Sequence, residues 1–373
     1  MFITESFTLQ LDDLLQRICI ELQIPPSQHS QAEDRYITIG RWLSADGSAL
    51  ADYDPIIYPQ GSLRIGTTVK PLARQEFDLD LVCELRADWR LFKPAVKLLN
   101  MVEARLKEHE IYRKMYERKN RCIRLCYAND FHLDILPACP DKLSGGTCLV
   151  VPDREANDWK PSNPKGYAGW FEAKAVYTVP TFKQAIEPLP DHEEVYEKPP
   201  LKRVVQLLKR WRDIAYARTP ELAPISIVLT TLAASHYRQQ DSVYSALVQI
   251  VDGIIASIPA TGRLKVCNPS NEKEDLSERW DDSKMYQAFV VGIVDLRKQL
   301  LLLGQQKNMI DGAEILQQLF GKEFIEKAFT KQAKAIEGAR SVHRLAVAKS
   351  TGTIISVVTP NSTPIRQNTF YGS

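Results

Sequence analysis

The sequence has no Cys-x-x-Cys pair, no internal repeat, no long apolar run and almost no net charge. Each absence removes a class of protein. The seven cysteines (Cys19, Cys83, Cys122, Cys126, Cys139, Cys148 and Cys267) are odd in number and scattered, which fits reduced thiols and argues against a disulfide framework. Cys122 and Cys126 stand close to His132, but they read as small apolar residues of one strand rather than zinc ligands. No apolar stretch approaches the roughly 20 residues of a membrane helix. The longest, near 225–234 and 300–303, are too short or carry hydroxyls. The N-terminus carries Glu5, Asp12 and Asp13 where a signal peptide would place a basic segment and an apolar core, so a soluble cytoplasmic protein is expected. A net charge of +2 over 373 residues gives no global attraction to nucleic acid, so any phosphate binding must be local. With 44% hydrophobic and 25% charged residues the composition is that of an ordinary globular protein, long enough for one large or two medium domains.

What is present centres on Gly61-Ser62-Leu63-Arg64-Ile65-Gly66-Thr67 and the nearby Phe77-Asp78-Leu79-Asp80-Leu81-Val82. The first stretch follows a strand end at Ile56, Ile57 and Tyr58, and reads as a turn into a short helix. Glycine there admits close approach of backbone to a ligand, and successive N–H groups at a helix start attract anions. In the second stretch the period-2 geometry of a strand puts Asp78 and Asp80 on one face. Two neighbouring carboxylates repel unless a cation sits between them, and hard oxygen ligands suit Mg²⁺, which also takes substrate phosphate oxygens. A third run, Phe131-His132-Leu133-Asp134-Ile135-Leu136-Pro137, holds one acid in an apolar setting. A lone buried carboxylate costs several kcal/mol unless it is paired or binds a metal. A phosphate cradle beside paired carboxylates is what nucleotidyl transfer requires.

Gly-Ser, then Asp-x-Asp, then a single later Asp resembles the DNA polymerase β nucleotidyltransferase superfamily. Ser162-Asn163-Pro164-Lys165-Gly166-Tyr167 with Trp170-Phe171, the run Leu207-Leu208-Lys209-Arg210-Trp211-Arg212-Asp213, Asn268-Pro269 with Trp280, and Phe370-Tyr371-Gly372 narrow it. Together they resemble the bacterial cyclic-oligonucleotide synthetases, relatives of cyclic GMP–AMP synthase and oligoadenylate synthetase that serve anti-phage signalling. The resemblance implies an α+β fold, with a mixed-sheet nucleotidyltransferase lobe, a mostly helical C-terminal lobe, and the active site in the cleft between them. It implies Asp78, Asp80 and Asp134 as catalytic metal ligands for two Mg²⁺ ions, with Mn²⁺ as a substitute. It also implies nucleotide contacts from Gly61, Ser62, Lys209 and Ser226. NTP substrates including ATP, a monomeric state and room for a regulatory protein partner are expected. No obligatory DNA or RNA activator is expected, because the sequence carries neither a zinc-binding insertion nor a continuous basic stripe. Animal relatives follow the serine with a base-stacking tyrosine, but here Ile227 follows Ser226, so stacking must come from elsewhere.

The expected domains are 1–195, the nucleotidyltransferase lobe braced by helices over 7–22 and 26–43; 196–345, the helical lobe; and 346–373, a surface-laid or mobile tail. The acidic, proline-rich stretch 186–200 marks the boundary. The strongest predicted helix, 201–214, is read with Leu201, Val204, Leu208 and Trp211 inward, and Lys202, Gln206 and Lys209 on the opposite, solvated side. Arg113, Lys114, Arg118, Lys119, Arg121 and Arg124 read as a solvated basic face, since Glu110 and Glu117 interrupt them. Residues 139–170 read as loop-rich, with Trp159, Tyr167 and Trp170 available to stack on a base, although aromatics in such loops more often pack on the domain surface. An Asn-Asp turn at 128–130 is expected to fold Asp134 up beside Asp78 and Asp80. The same residues admit two other activities: a polymerase-β-like transferase acting on RNA ends or a protein, and a nucleotide-binding sensor without turnover.

Overall fold

The period-2 runs become one mixed sheet. The structure, a computed structural model, describes residues 5–72, 77–127, 131–175, 187–195, 197–306, 309–341, 346–348, 354–355 and 362–364. Two helices come first, α1 (Glu5–Leu22) and α2 (Pro26–Ser44), and lead to β1 (Ile56–Gln60). There follow α3 (Gly61–Arg64), β2 (Phe77–Glu84), α4 (Val96–Lys107), β3 (Tyr116–Arg118), β4 (Ile123–Tyr127) and β5 (Phe131–Pro140). Then come β6 (Leu149–Asp153), β7 (Asp158–Ser162) and α5 (Pro164–Ala175). The sheet runs β1-β2-β5-β4-β3, with β6 and β7 continuing from the far end of β5. Only β2 and β5 are parallel, and their register sets Asp80 opposite Asp134 and Asp78 opposite His132. On the other side of β2, antiparallel pairing sets Gln60, the residue before Gly61, opposite Asp80. The Asn-Asp turn at 128–130 lies outside the described residues, yet the strands it joins pair as expected, Arg124 opposite Asp134.

The apolar alternates of these strands, Leu79, Leu81, Leu133 and Ile135, are buried with Ala32, Tyr36 and Ile39 of α2 and Leu98, Leu99 and Val102 of α4. A second core gathers the remaining helices: α6 (Pro200–Ala215), α7 (Ser226–His236), α8 (Val243–Ala256), α9 (Ser283–Gly304), α10 (Met309–Phe320) and α11 (Lys322–Ser341). Helices α10 and α11 are separated at Gly321, whose φ of +93° is open to glycine at little cost. The pair β8 (Cys267–Asn268) and β9 (Asn271–Asp275) packs on β7. In the tail, Ala346–Ala348 pairs with Ile354–Ile355 and Ser362–Pro364, so its described parts form a small sheet.

Several local expectations are corrected. Helix α1 buries Leu11, Leu14, Leu15 and Ile18 in the helical core instead of bracing the sheet. Residues 139–170 contain a hairpin and the start of a helix. Asn163 caps α5 by accepting from the Gly166 amide, with Pro164 at the first helical position. The stretch 187–195 is packed, with Leu189 in the sheet core and Val195 in the helical core. Helix α6 has no solvated side from Leu201 to Trp211; Lys202, Gln206 and Lys209 are buried with the rest. Lys202 pairs with Glu193 and Glu172, and other polar ends of the helix and its approach go to the segment after α3. Lys198 donates to the Gly66 carbonyl, Lys209 to Thr67, Gln206 to Thr68 and Arg210 to Lys70. A buried polar group without a partner is costly, and here backbone carbonyls of another element serve as those partners.

Candidate active site

The site begins at the β1–α3 junction. Gly61 has φ +66°, and a Cβ placed there would lie 2.2 Å from Asp80 Oδ2, so the turn and the carboxylate touch. No residue with a side chain fits without moving that acid. Ser62 follows, its hydroxyl 3.1 Å from that of Thr68, while the Thr67 amide donates back to the Ser62 carbonyl. Asp78 and Asp80 alternate with the buried Leu79 on β2, and Asp134 stands beside Asp80 on β5. All three sequence-predicted acids are thus brought to one patch. Burial, then Asp134 and Asp78, pushes the Asp80 carboxyl up to about 7. Burial also raises Asp78, while Arg124 pulls it back down.

Arg124, which the sequence reading placed on a solvated face, lies in this patch. Its guanidinium spans Asp134, 2.7 Å from Nε to Oδ1 and 2.8 Å from Nη2 to Oδ2, and reaches Asp78 at 3.2 Å. The hydrogen bond to Asp134 holds the guanidinium above its ordinary range. Others of the basic run are paired too: Lys114 with Glu110, Arg118 with Glu103, Lys119 with Glu117, and Arg121 with Asp153 and Glu278. Only the strand register shows this, since the partners of Arg124 are 10 and 46 residues away.

Lys209 is nine-tenths buried or more and donates to the Thr67 carbonyl at 3.0 Å and its hydroxyl at 3.1 Å. It lies beneath the Gly-Ser turn, and burial followed by the nearby Arg212 brings its amine down to about 7. Ser226 opens α7 and accepts a hydrogen bond from Arg212, whose guanidinium also binds Asp213. The charge of Arg212 is felt at both Asp78 and Lys209. Arg212 is a cation that the sequence reading left out, one helical turn beyond Lys209 in the same run.

Beside the acids a cavity of about 500 Å³ opens between the sheet and the helices, large enough for nucleotides. Gly61, Asp80, Tyr167, Ile227, Asn268 and Glu274 are among its walls. Pro161, Ile225, Ile227 and Leu276 give it flat apolar surfaces, which is where stacking can occur without the missing tyrosine. Trp159 instead packs on Trp89, and Trp170 on Tyr167. A second cavity, of about 360 Å³, lies on the other side of Arg64 and holds none of the three aspartates.

The donor chemistry fits a hard divalent cation: Asp80 in register with Asp134, Asp78 two residues before it on the same strand, and the Asp80 carboxyl pushed toward its neutral form by burial and then by the other two. Among the described residues no three His, Cys, Asp or Glu side chains stand ready around one point. The Arg124 guanidinium, a cation of the chain's own, lies between two of the acids.

Residues 9–175 match the Second Messenger Oligonucleotide or Dinucleotide Synthetase domain. The whole chain is 32% identical to a c-di-GMP synthase of Roseivirga ehrenbergii, with 100% of both chains covered. It is 27% identical to the cyclic dinucleotide synthase CdnG of Bradyrhizobium diazoefficiens over 76% of this chain and 73% of that one. The solved structure of that CdnG in complex with GTP superposes with a TM-score of 0.71 at 25% identity, covering 87% of this chain and 99% of the other. Escherichia coli DncV, at 19% identity and a TM-score of 0.54 over 88% of this chain and 83% of that one, shares the fold. Among the described residues no helix is long and apolar enough to cross a membrane. The chain is a nucleotidyltransferase and belongs to the family of bacterial cyclic-oligonucleotide synthetases related to cyclic GMP–AMP synthase and DncV.

Proposed function

We propose that the enzyme joins two nucleoside triphosphates, GTP for at least one position, into a cyclic dinucleotide that signals in anti-phage defence. The observation that carries this reading is the register of Asp80 with Asp134 on adjacent strands, with Asp80 against the Gly61 turn and on the wall of the cavity. The named activities of the relatives favour guanine over the adenine expected from resemblance.

Asp78, Asp80 and Asp134 would hold two Mg²⁺ ions, for which Mn²⁺ could substitute. Bound there, the metal supplies Lewis acidity that lowers the pKa of the attacking ribose hydroxyl and neutralises charge on the departing pyrophosphate. Asp134 accepts the hydroxyl proton as the oxygen attacks the α-phosphorus and the bond to pyrophosphate breaks. The Gly61 amide and the Ser62 hydroxyl orient the β- and γ-phosphates. Lys209 acts on them through Thr67, and Ser226 by holding Arg212 toward the acids. The apolar walls take the bases. A first transfer leaves a linear pppNpN, which rebinds so that its free hydroxyl closes the ring with loss of a second pyrophosphate. Turnover requires no nucleic-acid activator.

The test is the double variant Asp78→Asn with Asp80→Asn. It releases no pyrophosphate from NTPs and melts within a few degrees of the parent, because it removes repelling charge and keeps the shape. Retained turnover would refute the assignment of the acids.

A further inference from the structure

We propose that Arg124 is the acidic site's own exchangeable counter-ion. Its guanidinium occupies the Asp134 and Asp78 oxygens, and it must release Asp134 before a divalent cation can bind there. This rests on the reading of the three aspartates as metal ligands.

Three observations carry it. Arg124 makes a two-point contact with Asp134 and a third hydrogen bond to Asp78, so it satisfies the two acids that flank Asp80 across the strands. Its Cα faces that of Asp134 across β4 and β5, so the contact is made and broken by side-chain rotation alone, with both strands in place. Its side chain is 22% exposed, against 5% or less for Lys202, Lys209 and Arg210, which leaves it a path toward solvent. Arg118, in the same basic run, is different: it binds Glu103 and Asn100 on α4, away from the acids.

Three close carboxylates without a cation would repel strongly in a partly buried patch. An arginine that leaves when metal arrives keeps the patch compensated in both states, since one cation replaces another. It also sets a threshold, because the metal must compete with a charge-assisted pair, for which roughly tenfold in affinity is the ordinary magnitude.

The test uses the full chain without nucleotide and Mn²⁺ alone as probe, with free Mn²⁺ read by electron paramagnetic resonance and the melting temperature read in parallel. Arg124→Gln is expected to bind Mn²⁺ about tenfold more tightly than the parent. It is also expected to melt lower without Mn²⁺ and to recover most of that loss at saturating Mn²⁺. Arg124→Lys, which keeps the charge and loses the fork, falls between. Should Arg124→Gln fail to fold, the gain in Arg124→Lys decides. Arg118→Gln leaves Mn²⁺ affinity unchanged. Parent-like or weaker Mn²⁺ binding in the Arg124 variants, or melting loss that Mn²⁺ does not restore, would overturn the counter-ion role and assign Arg124 to strand packing. If the parent itself bound no Mn²⁺, the reading of the aspartates would fail first, a separate outcome.

Discussion

Replacing Gly61 by alanine separates stability from catalysis at the point where turn and acid meet. Two effects add. The backbone at φ +66° lies in the left-handed region, which costs a residue with a Cβ about 1–2 kcal/mol. The new Cβ would also sit 2.2 Å from Asp80 Oδ2, more than 1 Å inside ordinary contact, and 3.0 Å from its Cγ. The carboxylate is the end of a short side chain and can rotate away for roughly 0.5–1.5 kcal/mol, so the fold absorbs the clash. The reaction does not. A displacement of about 1 Å at a metal ligand corresponds to about 10²-fold in rate, or about 2.7 kcal/mol of transition-state stabilisation. Gly47→Ala is the control, since Gly47 has φ +81° and nothing within 4 Å of a Cβ. By denaturant titration Gly61→Ala loses more stability than Gly47→Ala, by roughly the 0.5–1.5 kcal/mol of moving the acid, while pyrophosphate release falls about 100-fold in Gly61→Ala alone. Activity of Gly61→Ala within about threefold of the parent, or an equal loss in Gly47→Ala, would refute the reasoning.

Lys209→Ala raises KM for nucleotide more than it lowers kcat, because it loosens a phosphate-facing turn used in ground and transition states alike; an unchanged KM in steady-state assays removes Lys209 from the site. Lys209 also predicts a pH dependence. Its folded pKa of about 7 lies below the ordinary 10.5, so between those values the unfolded chain holds the extra proton, and stability from this group rises with pH across that window. Lys209→Met flattens the rise in denaturation midpoints measured between pH 7 and pH 10. Double-stranded DNA or RNA added to the assay leaves the rate unchanged, and stimulation by either would overturn the absence of an activator.

Asp78 and Asp80 were legible in the sequence because a strand's alternation alone puts them on one face. Asp134 was legible as a lone acid in an apolar strand, while its place beside Asp80 comes from the parallel β2–β5 pairing and not from the hairpin, which sets it opposite Arg124. Gly61-Ser62 was legible for its backbone freedom. What periodicity could not show was which polar faces are covered. Helix α6 reads as amphipathic, yet the carbonyls of 66–70 lie against Lys198, Gln206, Lys209 and Arg210 and bury the side expected to face water. Lys209 was therefore found at the site but bonded to Thr67, not projecting into the cavity. Arg124 escaped notice for a related reason: a charge among six basic residues looks solvated until the β4–β5 register puts it opposite an acid. The placement of α1 in the helical core was equally hidden, since an apolar stripe states that it is buried and not by what.

The most direct measurement is product analysis after incubation with all four α-labelled NTPs and Mg²⁺, by mass spectrometry and nuclease mapping. The account predicts pyrophosphate release and a cyclic dinucleotide containing guanine, made by the parent and absent with Asp80→Asn. Label carried on RNA or protein, or nucleotide bound at the acids without any pyrophosphate released, would contradict it.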